Sequence, residues 1–298
     1  MAFDPAGPTF RHEAYEQYKA QREETPEAIR LSVPIIKDII RAYRIPILEV
    51  PGYEADDVIG TLATEAGRRG ITTYMMTPDK DYGQLVSDNV FMYRPKYGDK
   101  EFEVMGIEQI KAKFDIQSPA QVIDMLGLMG DSSDNIPGCP GVGEKTAQKL
   151  IAQYGSIENL LSHTDELKGA LKTKVETNRK MIEFSKFLAT IKIDVPITLN
   201  MDELKREEPD EEELRKIFEE MEFRTLIDRV LIVKRKRLRQ VRLQCHTTKH
   251  KAHFSVTSLH YLTNRALHHL HRLHHKAISL QNLKTRIQET EIIQISHV

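Results

Sequence analysis

The sequence predicts an α/β fold, in which a mostly parallel sheet with flanking helices precedes a helical segment and a basic, histidine-rich tail. A strand–helix–strand pattern over residues 47–93 has the spacing of a βαβ unit, whose strands pair in parallel. From residue 119 onward, apolar residues recur at helical spacing between short loops. The charge composition then changes abruptly near Leu231. We therefore predict three parts, at residues 1–115, 116–231 and 232–298.

Each element of the first part has a local signal. Thr25-Pro26-Glu27 predicts a helix start, because a capping hydroxyl precedes a proline in the first turn. The segment Asp56–Arg69 gathers its apolar residues on one side of a helix, and Gly70 ends it. Short apolar runs predict three strands, at Ile47–Val50, Ile71–Met76 and Val90–Tyr93.

The second part alternates helices with loops. The predicted loops lie at Gly130–Gly143, Tyr154–Gly155 and His163–Glu166. The very acidic segment Asp202–Glu222 is typical of a solvated helical face.

The composition excludes several classes of protein. Of the 298 residues, 40% are hydrophobic and 29% are charged, and no apolar run is long enough to span a membrane. The N-terminus lacks the basic and apolar regions of a signal peptide. Only two cysteines occur, Cys139 and Cys245, which excludes a disulfide scaffold and fits a reducing compartment. We predict a cytoplasmic protein.

The net charge of −1 averages two unlike pieces of the chain. Residues 232–298 contain 13 Lys and Arg, two acids and 10 of the 12 histidines, whereas residues 1–231 contain 30 basic and 42 acidic residues. The tail, which opens with Lys234–Arg239, fits a nucleic-acid arm or a histidine-rich metal tract. It also fits a non-native or disordered extension such as a frameshift product, which we favour because helical and strand periods are missing from it.

Acidic residues cluster where the predicted elements begin or end. Four groups are involved, namely Asp4; Glu54, Asp56 and Asp57; Asp79 and Asp81; and Asp131 and Asp134. Singly, each acid also fits a helix start or a turn. Together they favour a site for two hard divalent cations, which prefer oxygen ligands. Two such ions held about 4 Å apart can activate water to attack a phosphodiester and can stabilise the leaving oxygen.

The glycine-rich segment Ile136–Ala147 lies between two predicted helices. Glu144 separates Gly143 from Lys145, so the segment does not match a Walker A loop. A plain turn between helices is one interpretation. We favour phosphate binding, because glycines let the backbone approach a nucleic-acid strand and the next helix offers free N–H groups.

A basic stretch near the N-terminus places Arg11, Lys19 and Arg22 along one predicted helix. Cations beside tyrosines suit single-stranded nucleic acid, through charge and base stacking. From this stretch alone a solvated surface helix is the favoured interpretation.

These motifs together resemble the 5′-nuclease domain of bacterial DNA polymerase I, in the PIN and flap-endonuclease superfamily. The resemblance covers residues 2 to about 231 and rests on five stretches, namely Phe3–Arg22, Glu54–Gly60, Asp79–Asp81, Met129–Gly138 and Gly141–Ala147. It implies a 5′-3′ exonuclease or flap endonuclease that acts on DNA or RNA primers in bacterial replication and repair, near the nucleoid and without a nucleotide cofactor.

The resemblance also implies roles for individual residues. Two Mg²⁺ or Mn²⁺ ions would be held by Asp4, Glu54, Asp56 and Asp57 on one side and by Asp79, Asp81, Asp131 and Asp134 on the other. Arg11, Lys19 and Arg22 would meet the scissile phosphate and the 5′ strand. A helix-hairpin-helix element would grip duplex DNA, often with K⁺, through Gly138, Gly141, Val142, Gly143, Lys145 and Thr146.

The chain departs from this family at both ends. A first strand that carries a further aspartate ligand is expected well before Asp4, and no polymerase follows the tail. The alternative function is therefore a catalytically impaired fragment that grips duplex DNA, and a third interpretation is a gene remnant that does not fold stably.

Overall fold

The computed structural model describes residues 1–95, 102–232 and 292–296, and these contain one four-stranded sheet. Its strands are β1 Thr72–Met76, β2 Val90–Pro95, β3 Phe102–Met105 and β4 Ile292–Ser296, in the order β3-β2-β1-β4. β1 pairs in parallel with β2 and β4, whereas β3 runs antiparallel to β2. The predicted α/β class with a mostly parallel sheet is confirmed.

Eleven α-helices lie among the remaining described residues. They are α1 Phe10–Ala14, α2 Glu27–Ala42, α3 Ala55–Arg68, α4 Ile107–Phe114, α5 Gln121–Met129, α6 Glu144–Tyr154, α7 Ile157–Ser162, α8 Gly169–Thr177, α9 Arg179–Ala189, α10 Glu211–Glu220 and α11 Arg224–Leu226. Short 3-10 turns cover Lys80–Leu85 and Thr164–Glu166, and a π-helical turn covers Ile227–Ile232. In the described part of the chain, no helix is both long and apolar enough to cross a membrane.

Two local predictions are wrong. The predicted strand Ile47–Val50 is reduced to a single parallel bridge between Leu48 and Ala2. The predicted helix through Arg11, Lys19 and Arg22 ends at Ala14, and Lys19 has a φ of +56°. A left-handed residue cannot continue a right-handed helix, so the three cations do not share one helical face.

The structure describes only a small part of the predicted tail. Five of its residues, Ile292–Ser296, form β4. The rest of it, including the basic run Lys234–Arg239 and the histidines, lies outside the described residues, so its interpretation stays a prediction.

The chain forms two compact units. Of the described residues, the first comprises 1–23, 48–95, 102–200 and 292–296, and the second comprises 24–47 and 201–232. In the first unit, α3 buries Val58, Ile59 and Leu62, each at most 2% exposed. The predicted boundaries at residues 115 and 231 stay predictions.

The second unit pairs α2 with α10. Its core joins Ile39 and Tyr43 to Leu214, Ile217 and Phe218. The acidic segment Asp202–Glu222 therefore has a solvated face, as predicted, but it also presents a buried apolar face.

The loop between α5 and α6 folds back on itself. Gly130 and Gly138 have φ values of +73° and +63°, and an antiparallel bridge joins Asp131 to Ile136. A Cβ atom at position 138 would lie 2.3 Å from the backbone nitrogen of Gly130. Gly138 is thus required by close backbone packing at the base of the loop.

We expect Gly138→Ala to destabilise the protein by about 2 kcal/mol or more, because alanine adds both a clash and a strained φ. Gly143→Ala is the matched control, since its φ is negative and a Cβ there meets no atom within 4 Å. Thermal unfolding of both variants measures the difference. Equal midpoints would show that the loop has another conformation in solution.

Candidate metal centre

The first group of acids lies at the start of α3. Glu54 is the N-cap of this helix, and Asp56 and Asp57 occupy its first turn, where helix-dipole charge favours carboxylates. One oxygen of each side chain lies within 4.8 Å of the others. Asp4 is brought to the same place, because its Oδ1 accepts a hydrogen bond of 2.7 Å from the backbone N–H of Ala55.

Asp56 has an oxygen that the protein leaves unsatisfied. Its Oδ1 is buried and has no hydrogen-bond partner. Burial, opposed by the charge of Arg11 and reinforced by that of Asp57, raises the pKa of Asp56 to about 7. A buried carboxylate oxygen without a donor is costly, and a cation would remove that cost.

The second group follows β1. Asp79 caps the 3-10 turn by accepting a 3.0 Å hydrogen bond from the backbone N–H of Asp81. The Oδ1 of Asp81 is buried and, like that of Asp56, lacks a hydrogen-bond partner. Burial, followed by the negative charge of Asp79, raises the pKa of Asp81 to about 8.

Asp131 reaches the second group through Lys80, from the loop after α5 that also carries Asp134. Lys80 donates to Asp131 Oδ2, and the backbone N–H of Ser133 donates to Asp131 Oδ1 at 2.7 Å. Burial opposes the ionisation of Asp131, but these hydrogen bonds outweigh it and lower its pKa. Asp134 Oδ1 lies 2.5 Å from Nη2 of Arg22.

Tyr18 connects Glu54 of the first group to Asp134. The hydroxyl of Tyr18 lies 3.0 Å from Glu54 Oε2 and 3.1 Å from Asp134 Oδ2. Burial, together with the charges of Asp56 and Asp79, raises the pKa of Tyr82 well above its usual value. Acids that lie far apart in the sequence therefore form one centre in the first unit.

Two of the predicted cations lie at this centre. The Nζ of Lys19 pairs with Glu54 and lies 3.8 Å from Asp134 Oδ2, and burial is outweighed by these charges, so the pKa of Lys19 is raised. Arg22 is about half exposed, with 53% of its side chain accessible, and pairs with Asp134. Both cations remain next to the acids that are predicted to hold the ions.

Arg11 occupies a different environment from the predicted one. It is 1% exposed and its guanidinium pairs with Glu54 and Asp57. Contact with a scissile phosphate requires an accessible group, so the predicted role of Arg11 is corrected to that of a buried partner of the acids.

The glycine-rich loop divides into buried and exposed positions. Gly138 and Val142 are buried and therefore cannot face a nucleic-acid strand. Their predicted role in DNA binding is corrected to a role in packing the loop. Gly141, Gly143 and Lys145 are exposed, and Thr146 is half-buried. The exposed residues lie where the backbone enters α6.

Two residues of the centre were not predicted in these positions. Tyr18 was expected among the tyrosines that stack on bases but is buried, and Lys80 had no predicted role. Lys80 lies between Asp79 and Asp81 in the sequence, and this alternation of charges could have indicated that it pairs with an acid of the site. No sequence pattern near Tyr18 indicates that it meets Asp134, because the two residues are far apart in the chain.

Two family models match most of this chain. The model of the 5′-3′ exonuclease N-terminal resolvase-like domain matches residues 1–115, and that of the 5′-3′ exonuclease C-terminal SAM fold matches residues 117–212. The chain belongs to the 5′-3′ exonuclease family.

Curated proteins similar to this chain include DNA polymerases I. This exonuclease-family chain is 41% identical to the enzyme of Bacillus caldotenax and 42% identical to that of Bacillus subtilis, over 231 residues in each case. It is 40% identical to the thermostable enzyme of Thermus filiformis over 228 residues. These alignments cover 76–77% of this chain but only 26–27% of each relative, so the chain spans about a quarter of their length.

Solved structures show the same fold. The T5 D15 protein co-crystallised with metal ions aligns with a TM-score of 0.55 and 20% identity, over 74% of this chain and 82% of that one. The catalytic core of Rad2 in complex with DNA aligns with a TM-score of 0.51 and 17% identity, over 78% and 77% of the two chains. At such identities the likeness establishes the PIN-like α/β nuclease fold.

We expect the cation-free protein to lose stability as the pH rises from 5 to 9. The pKa values of Asp56 and Asp81 lie near 7 and 8, against the ordinary 3.8, so the folded chain binds more protons than the unfolded chain between pH 4 and 8. That stabilising contribution is complete below pH 4 and is lost as these two carboxyls ionise. Mg²⁺ should restore the loss at high pH.

Thermal unfolding in a chelator, with and without added Mg²⁺, measures this effect. Asp81→Asn is the control, because it removes one of the two titrations and should flatten the pH dependence. A variant with the same pH slope as the parent chain would show that Asp81 ionises normally.

Proposed function

We propose that this chain is a structure-specific 5′ nuclease, a 5′-3′ exonuclease and flap endonuclease that hydrolyses phosphodiesters of DNA or RNA primers with two divalent cations. One observation supports this most directly. Each of the two groups of acids contains a buried oxygen without a hydrogen-bond partner, Asp56 Oδ1 in one and Asp81 Oδ1 in the other. A buried carboxylate oxygen without a donor destabilises a protein unless a cation binds it, so the two oxygens are consistent with two cation sites.

The donor set fits hard cations such as Mg²⁺ or Mn²⁺, because all the candidate ligand atoms are carboxylate oxygens. In this proposal Glu54 and Asp56 hold one ion, with Asp4 beside them, and Asp81 and Asp131 hold the second, supported by Asp79 and Asp134. When bound, the ions would activate water and neutralise charge on the phosphodiester.

Lys19, with 17% of its side chain accessible, and Arg22, with 53%, have roles that follow from their positions. Lys19 and Arg22 lie against Glu54 and Asp134, so a phosphate that enters the centre meets two positive side chains at its edge. They would orient the scissile phosphate and stabilise the negative charge that develops during hydrolysis.

The exposed part of the glycine-rich loop would hold duplex DNA as a helix-hairpin-helix element. Gly141, Gly143 and Lys145 leave the backbone open at the start of α6, and buried Val142 anchors the loop. Backbone N–H groups there bind phosphate without recognising sequence. A K⁺ ion at this loop belongs to the same proposal.

We expect Asp81→Asn to reduce cleavage of a 5′-flap DNA in Mg²⁺ by at least 100-fold, roughly the loss from removing one strong electrostatic contact in the transition state. Asp88→Asn, at an exposed turn before β2, is the matched control and should cut as the parent does. A flap-cleavage assay with a parallel gel shift separates hydrolysis from binding.

The same assay distinguishes the alternative. If the parent chain binds the flap substrate but does not cut it under any divalent cation, the chain is a DNA-binding fragment and the nuclease proposal fails. Equal cutting by the parent and Asp81→Asn would reject Asp81 as a ligand.

We also expect Lys145→Ala to weaken duplex binding and to reduce the slope of log affinity against log salt by about one, because one phosphate contact is lost. Lys111→Ala on α4 is the control, and it should leave the slope unchanged. Fluorescence anisotropy at several salt concentrations measures both. A duplex affinity that is insensitive to salt would contradict phosphate binding by the loop.

A further inference from the structure

Asp57 lies within the carboxylate cluster at the start of α3, yet its oxygens have no room for another partner. Its Oδ1 accepts from Nη2 of Arg11 and from the backbone N–H of Lys192, both at 2.8 Å. Its Oδ2 accepts from Nη1 of Arg11 at 2.8 Å and from the backbone N–H of Glu54 at 3.1 Å. A carboxylate offers about four lone-pair positions, so all of them are occupied.

The neighbouring acid differs in this respect. Asp56 has a buried Oδ1 without a hydrogen-bond partner, whereas Asp57 is 0% exposed and fully bonded. A ligand must present a free lone pair to a cation. Asp57 can do so only by breaking a buried hydrogen bond to Arg11 or to the backbone, which is strongly unfavourable.

The guanidinium of Arg11 likewise has all its hydrogen-bond donors occupied. Its Nε donates to the backbone oxygen of Leu188 at 2.9 Å, and Nη2 donates to that of Thr190 at 2.8 Å. The other N–H groups donate to Asp57 and to Glu54 Oε2, the latter at 2.7 Å. All five N–H donors of the guanidinium are therefore used.

The pair joins three segments of the first unit. Arg11 belongs to α1, Asp57 to α3, and the three backbone contacts at Leu188, Thr190 and Lys192 to the end of α9 and the chain that follows. Glu54 is held by both members of the pair, through its backbone N–H and through its side chain. The orientation of Glu54 is thus fixed by these buried contacts.

We propose that Asp57 is a positioning residue and not a metal ligand, and that with Arg11 it clamps the start of α3 so that Glu54 and Asp56 face the cations. This inference deepens the proposed function, because it rests on the same centre. Of the three clustered acids, Glu54 and Asp56 would then be metal ligands, and Asp57 would hold them in position.

The experiment compares Asp57→Asn with Asp56→Asn by calorimetric titration of Mn²⁺ and by thermal unfolding, without substrate. We expect Asp57→Asn to lower the unfolding midpoint by roughly 5–10 °C, since one partner of a buried ion pair is removed, while the Mn²⁺ affinity of the folded protein falls less than it does in Asp56→Asn. We expect Asp56→Asn to weaken Mn²⁺ binding at least tenfold without a comparable loss of stability.

A double-mutant cycle provides a second test that does not depend on metal binding. Arg11→Lys, Asp57→Asn and the double variant are unfolded thermally, and the clamp predicts that the double variant loses much less than the sum of the two single losses. Additive losses would overturn the clamp. Equal weakening of Mn²⁺ binding by Asp57→Asn and Asp56→Asn, in folded proteins, would overturn the assignment of Asp57.

The two proposals fail in different ways. If the parent chain binds no Mn²⁺ and cuts no DNA, the proposed function is lost, while the cycle still decides whether Arg11 and Asp57 act together. If the parent binds Mn²⁺ and cuts, but the variants behave alike, the positioning role alone is lost.

Discussion

Mutual repulsion among carboxylates is the constraint on which the first unit depends. Acids from four separate stretches of the chain meet at one place, and several of them are buried, where like charges repel more strongly than in water. The protein compensates with cations placed among them. Arg11 pairs with Glu54 and Asp57, Lys19 with Glu54, and Lys80 with Asp131. At Asp56 and Asp81 burial outweighs the charges of the nearby cations, and the pKa values rise to about 7 and 8.

The chain between α1 and α2 obtains its shape from the loop that carries Asp134. The backbone N–H of Lys19 donates to the backbone oxygen of Asp134 at 3.0 Å, and the side chain of Asn135 donates to the backbone oxygen of Gln17 at 2.6 Å. Both Lys19 and Asn135 have left-handed φ values, of +56° and +57°. A strained backbone conformation persists only where surrounding contacts stabilise it. Here these two hydrogen bonds hold the backbone so that Lys19 lies at the centre.

Local signals predicted the helices and the inner strands well. The apolar spacing from Asp56 to Arg69 and the glycine after it correspond to α3, Ala55–Arg68. The acids were predicted as one site because they lie where predicted elements begin or end. In the described structure Glu54, Asp56 and Asp57 form one close group, and Tyr18 lies between Glu54 and Asp134. The prediction of a strand at Ile47–Val50 was wrong, because a short apolar segment forms a strand only where a neighbouring strand supplies hydrogen bonds. Here only Leu48 has such a neighbour, in Ala2. Arg11 was misassigned because sequence spacing cannot distinguish an arginine that faces solvent from one that is enclosed.

The sequence by itself determined the α/β class, the 5′-nuclease resemblance and the set of acids, since these depend on residue type and on spacing along the chain. The tertiary structure decided which of those acids have unsatisfied oxygens. Asp56 and Asp57 are adjacent and chemically identical, but the turn of α3 directs Asp57 to Arg11 and the backbone of Lys192, while Asp56 keeps a buried oxygen without a donor. That difference arises from contacts between distant segments. Asp57 is 46 residues from Arg11 and 135 residues from Lys192 in the sequence, so no local pattern encodes these contacts.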